Sequence, residues 1–177
     1  MHEVDSATTE PDLMTHHVFE TTQGDRHELV RTLASGKGRR ILFTRTKFQT
    51  QKLAKDLTKN GIPAAELHGN LSQNQRDRNL AAFESGDVNV MVATDVAARG
   101  IDVSDVDAVI NYDVPEENEY YIHRIGRTGR AKKHGVAYTL LSDFPSRLRL
   151  DNIARNTRST IVPAVLGEDG SVTVGEK

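Results

Sequence analysis

From His17 onward the chain alternates two patterns. Short β-branched runs occur at residues 16–22, 39–44, 62–68, 88–94, 106–112 and 135–142. Between them lie stretches with apolar side chains three and four apart, at residues 25–34, 46–60, 72–85, 118–125 and 144–157. The first pattern predicts strands and the second predicts helices. In the second helix, Leu53, Ala54 and Leu57 fall on one face, and Asn60-Gly61 supplies a stop. In the third, Ser72 is a candidate N-cap, Leu80, Ala81 and Phe83 mark the buried side, and Gly86 ends the helix.

Runs such as "ILF" and "VMVA" are apolar at every position, which suits strands covered on both faces. Strands alternating with helices then predict an open, mostly parallel α/β sheet with helices on both faces. In that architecture ligands bind beyond the carboxyl ends of the strands. Residues 1–15 read as a polar leader or linker and 16–158 as one domain. Residues 159–177 lose the pattern; "GEDGSVTVGEK" holds one β-like piece, and the expectation is a frayed tail.

Composition narrows the chemistry. The 177 residues are 37% hydrophobic and 27% charged, enough for one packed domain. Cysteine is absent, which removes disulfides, thiolate metal sites and cysteine nucleophiles and fits a reducing, cytoplasmic setting. The histidines show no HxxxH spacing, and no GxSxG elbow occurs. No apolar run approaches the ~20 residues of a membrane span. A net charge of -2 confines any nucleic-acid binding to a local patch.

The strand-end loops are where such a patch would lie. They carry Thr44-Arg45-Thr46-Lys47; His68-Gly69-Asn70 leading to Gln73, Arg76 and Arg78; Thr94-Asp95 leading to Arg99-Gly100-Ile101-Asp102; and "HRIGRTGRAKK" at 123–133. Hydroxyls, helix-start amides and arginines are what phosphate recognition uses. Gly126 and Gly129 interrupt the last cluster, so the chain there can turn and project Arg127 and Arg130 together. A plainer reading of "ATDVAARGID" is a helical turn closed by an Arg99–Asp95 or Arg99–Asp102 ion pair.

In this order, these segments resemble the C-terminal RecA-like lobe of DEAD-box ATP-dependent RNA helicases. "YIHRIGRTGR" (121–130) looks like motif VI, "ATDVAARGID" (93–102) like motif V, "ILFTRTK" (41–47) like motif IV and "QNQR" (73–76) like the QxxR element. His123, where DEAH-type and RecQ-type helicases typically carry Gln, favours the DEAD-box branch. Walker A, the DEAD sequence, the Q motif and SAT are absent; "SGKGRR" (35–40) has a GK without the spacing or hydroxyl. In the family these belong to the N-terminal lobe, so the chain resembles the second lobe of a RecA-like P-loop NTPase, without a P-loop. By itself it is expected to hydrolyse no ATP.

The resemblance implies roles. Arg127 and Arg130 would be arginine fingers on the γ-phosphate, and Gly100 and Asp102 would contact the nucleotide, ATP with Mg2+ held mainly by the N-terminal lobe. Thr46, Lys47, Gly69, Gln73, Arg76 and Thr94 would line the RNA track, and His123 and Arg124 would couple the lobes. The implied partners are RNA and the N-terminal lobe, with strand separation of short RNA duplexes as the activity. The alternative is a non-catalytic RNA-binding or regulatory module with the same fold.

Overall fold

The computed structural model describes residues 14–21, 25–36, 38–99, 106–115, 124, 135–141, 144–157, 161–166 and 172–174. Its strands are β1 (Met14–Glu20), β2 (Arg40–Thr44), β3 (Ala64–Leu67), β4 (Val90–Thr94), β5 (Ala108–Asn111), β6 (Gly135–Leu141), β7 (Ile161–Leu166) and β8 (Val172–Val174). Its helices, numbered among the described residues, are α1 (Arg26–Ala34), α2 (Lys47–Lys59), α3 (Gln73–Ser85), α4 (Asp95–Arg99) and α5 (Phe144–Thr157). The eight strands form one sheet in the order β3-β4-β2-β5-β6-β1-β7-β8. All neighbouring pairs are parallel except β7 with β8. The predicted helix at 118–125 lies outside the described residues except for Arg124.

Strand alternation divides the core. Leu42, Val90, Val92 and Ile110 meet Leu29, Val30 and Leu33 of α1 and Leu53, Ala54 and Leu57 of α2. Ile41, Phe43, Met91, Ala93 and Val109 point the other way, to Phe83 of α3 and Ala97 and Ala98 of α4. Val18 and Leu141 join Leu150 and Ile153 of α5. The helix ends follow their caps. Ser72 and Gln75 form a capping box, and Gly86 closes α3 at φ 90°. Across α1 and α2, the Arg31 guanidinium holds both Asp56 oxygens at 3.1 Å, which keeps that carboxyl below the usual carboxylate range.

Two expectations need correction. Ala81 is exposed; the inner side of α3 is Phe83, with Leu80 partly covered and Asn79 donating to the Glu66 carbonyl at 2.8 Å. The frayed tail is also wrong where the structure describes it. Residues 161–163 pair with β1 and 164–166 with β8, so β7 changes partner at Pro163. A proline without an N–H fits where one ladder ends and another begins.

One consequence of β1 can be measured. His16 is buried between β6 and β7, and burial, then the neighbouring His17, lowers its pKa from 6.5 to about 4. The unfolded chain therefore binds the extra proton first as pH falls. Stability is full above the unfolded value and is lost between pH 6.5 and about 4, by about 3 kcal/mol in all. His16→Val should flatten the fall in melting temperature between pH 7 and 5; an unchanged pH profile would remove His16 as its source.

Candidate nucleic-acid interface

The carboxyl ends of β2, β4 and β5 are tied together by one buried side chain. Arg124 is 1% exposed. Its Nε and Nη2 donate to the two Asp95 carboxylate oxygens, both at 2.7 Å. Its Nη1 donates to the Asp113 carbonyl at 2.7 Å and to Asn111 Oδ1 at 3.3 Å, and Asn111 Nδ2 donates onward to Thr139 Oγ1 at 3.0 Å. The guanidinium also lies over the Phe43 ring, 5.1 Å from its centroid. A planar fork meeting a carboxylate, a carbonyl and an amide at once is a task suited to arginine. Asp95 is thus bound to Arg124; the Arg99 pairing considered from sequence rests on a side chain outside the described residues.

Two further arginines clamp the loop after β5. Arg45 donates its backbone N–H to Asp113 Oδ2 at 3.1 Å and its Nη2 to the Val114 carbonyl at 3.1 Å. Arg26, buried at the start of α1, stacks over Tyr112 at 4.0 Å and lies 3.7 Å from Asp113 Oδ1. At the end of β2, the hydroxyls of buried Thr44 and Thr50 meet at 2.8 Å, and Thr50 also donates to the Thr46 carbonyl at 2.9 Å. Thr46 then caps α2 by accepting from the Gln49 N–H at 3.2 Å. These bonds hold the strand-to-helix turn, so Lys47 leaves it from a fixed backbone.

In front of this framework is a cleft of about 620 Å³, lined by Arg45, Lys47, Gly69, Arg76, Thr94, Asp95, Val96, Ala97, Pro115 and Arg124. Among the described residues its one acidic side chain, Asp95, is paired with Arg124, so Arg45, Lys47 and Arg76 leave the described wall cationic. Thr94 Oγ1 accepts from the Ala97 N–H at 3.3 Å, which leaves its hydroxyl proton to donate elsewhere. A Cβ on Gly69 would meet nothing within 4 Å, so its bare backbone faces open space. Such a wall can hold a string of phosphates and hydroxyls.

Of the residues expected on the RNA track, Lys47, Gly69, Arg76 and Thr94 come together in this cleft. Thr46 caps the helix beside it. Gln73, exposed in the first turn of α3, donates to Asp77 Oδ1 at 2.9 Å and is outside the lining. Gly100, Asp102, His123, Arg127 and Arg130 lie outside the described residues. Two further lining residues had no place on the expected track: Arg45, named only as part of the strand-end loop Thr44–Lys47, and Val96, which is apolar yet 73% exposed on the cleft wall.

Residues 23–132 match the family model of the helicase conserved C-terminal domain, well over half of the chain. The ATP-dependent RNA helicase DeaD of Mycobacterium tuberculosis is 46% identical over 126 residues, which are 71% of this chain and 22% of that protein. The E. coli DEAD-box protein SrmB, solved bound to regulator of ribonuclease activity A, superposes with a TM-score of 0.81 at 34% identity, over 86% of this chain and 91% of that one. S. cerevisiae Dbp5, solved bound to RNA and ADP BeF3, gives 0.78 at 33% identity, over 86% of this chain and 42% of that one. The chain spans about a quarter or less of the length of the curated relatives compared, from 18% to 26%. The open parallel sheet is that of the RecA-like C-terminal domain in these proteins, and the chain belongs to the helicase conserved C-terminal domain family, in its DEAD-box branch.

Proposed function

We propose that this chain is the C-terminal lobe of an ATP-dependent RNA helicase, binding RNA along the cleft beyond β2, β3 and β4. The observation that carries the reading is the cationic wall of Arg45, Lys47 and Arg76 with Gly69 and Thr94 between them. Contacts of that kind go to phosphates and 2′-hydroxyls, so they select RNA with little sequence preference. ATP with Mg2+ would sit between this lobe and an N-terminal lobe, with Gly100 and Asp102 on the nucleotide and Arg127 and Arg130 on the γ-phosphate. Coordinated closure of the two lobes on ATP and RNA would separate short duplexes. Arg124 serves coupling indirectly, by anchoring the segment that leads to Arg127 and Arg130; His123, just before it, is assigned to the lobe contact itself. Without the partner lobe the chain should hydrolyse no ATP.

Salt dependence tests the track. Binding of single-stranded RNA by the chain should be weak and should fall as salt rises. Each phosphate contact adds about 0.7 to the slope of log affinity against log salt. Lys47→Ala and Arg76→Ala should each lower that slope by about this amount while leaving the melting temperature unchanged. A slope equal to wild type in both would place the RNA elsewhere.

A further inference from the structure

Behind the Gly69–Asn70 turn is a histidine whose two ring nitrogens are both engaged. His68 is 1% exposed, at the end of β3. The Asn70 backbone N–H lies 3.2 Å from His68 Nδ1. An amide N–H can only donate, so Nδ1 accepts and the ring proton is on Nε2. Nε2 lies 2.7 Å from Glu66 Oε1, which accepts that proton's hydrogen bond. His68 follows directly on β3, two residues after Glu66, and the two side chains meet on one side. On the far side of the turn, Asn70 Oδ1 accepts from Lys47 Nζ at 3.3 Å. The chain of contacts therefore runs from Glu66 through His68 and Asn70 to Lys47, and ends at the cleft wall.

We propose that His68, held in its Nε2–H tautomer by Glu66, is a positioning residue that sets the Gly69–Asn70 turn and, through it, Lys47 for RNA. The proposal rests on the RNA-track reading above. Both nitrogens are needed. Losing the Glu66 acceptor frees the ring to rotate or change tautomer, and a proton on Nδ1 faces the Asn70 N–H donor to donor. The turn would then shift, although no group touching RNA had been altered. Asn79, which ties α3 to β3 through the Glu66 backbone carbonyl, keeps its bond whatever side chain stands at 66.

Glu66→Leu, Glu66→Gln and His68→Phe, with Lys47→Ala as reference, test it by RNA affinity, histidine ring NMR and amide exchange. Glu66→Leu should weaken RNA binding by about five- to tenfold and speed exchange at the Asn70 amide, while core amides such as Val92 keep their protection. Glu66→Gln, which still offers a carbonyl acceptor, should bind within about twofold of wild type. His68→Phe should lose affinity like Glu66→Leu; should it fail to fold, Glu66→Leu and the ring spectrum of the wild type decide the matter. Wild-type affinity in Glu66→Leu, or a wild-type ring protonated on Nδ1, overturns the proposal. If Lys47→Ala weakens binding and Glu66→Leu does not, only the positioning role falls; if Lys47→Ala has no effect either, the RNA track itself is misplaced.

Discussion

Replacing Arg124 with Ala should destabilise the domain by about 3–5 kcal/mol, the cost of removing one partner from a buried ion pair. The change leaves the Asp95 carboxylate, only 15% exposed, facing a cavity, and it orphans the Asp113 carbonyl and the Asn111 amide oxygen. For a chain of 177 residues this corresponds to a fall in melting temperature on the order of 10 °C. Lysine should recover little, because one ammonium cannot span both Asp95 oxygens and the Asp113 carbonyl. Asp95→Asn combined with Arg124→Met should be milder than the sum of the single changes, since no unpaired charge remains. A melting temperature for Arg124→Ala equal to wild type would mean that the ends of β2, β4 and β5 hold together without it.

If the full-length protein is the ATP-dependent RNA helicase proposed above, Arg127→Ala or Arg130→Ala in it should lower RNA-stimulated ATP turnover by on the order of 10³-fold, the scale of an arginine finger. On the proposed reading the guanidinium would meet charge that spreads over the equatorial oxygens during transfer, and a ground-state complex would make less use of it. RNA affinity and melting temperature should therefore change far less than turnover. Lysine should rescue poorly, for want of forked donors. Unchanged turnover in a folded Arg127→Ala, Arg130→Ala double variant would take both residues out of the mechanism and leave a non-catalytic RNA-binding module as the better account.

The contrast between Arg124 and Lys47 shows what sequence pattern can carry. Lys47 follows an all-apolar strand and a threonine suited to an N-cap, so its place at the mouth of a strand-to-helix turn was legible. Arg124 sits in a run of cations that looks solvated throughout, yet it is nearly inaccessible. Its partners Asp95, Asn111 and Asp113 come from two other strand ends, and only the sheet order brings them together. The strands and most helix ends were readable for a local reason: their signals are apolar runs, a capping box and left-handed glycines. The β7 strand was not, because Pro163 interrupts its run, and because its place depends on pairing with β1, some 145 residues earlier. Arg45 was legible as part of the strand-end loop but not as a wall residue; that place follows from the clamp it forms with Asp113 and Val114.

The claim that the cleft beyond β2, β3 and β4 is the RNA track is tested most directly by titrating the isotopically labelled chain with a short oligouridylate and following its backbone amides by NMR. The account predicts salt-dependent shifts at Lys47, Gly69, Asn70, Thr94 and Asp95, lost in the Lys47→Ala, Arg76→Ala double variant. Arg39, Arg40 and Asn89, at the opposite ends of the strands, should stay where they are. Shifts confined to that opposite edge, or shifts at the cleft that survive the double variant, would contradict it.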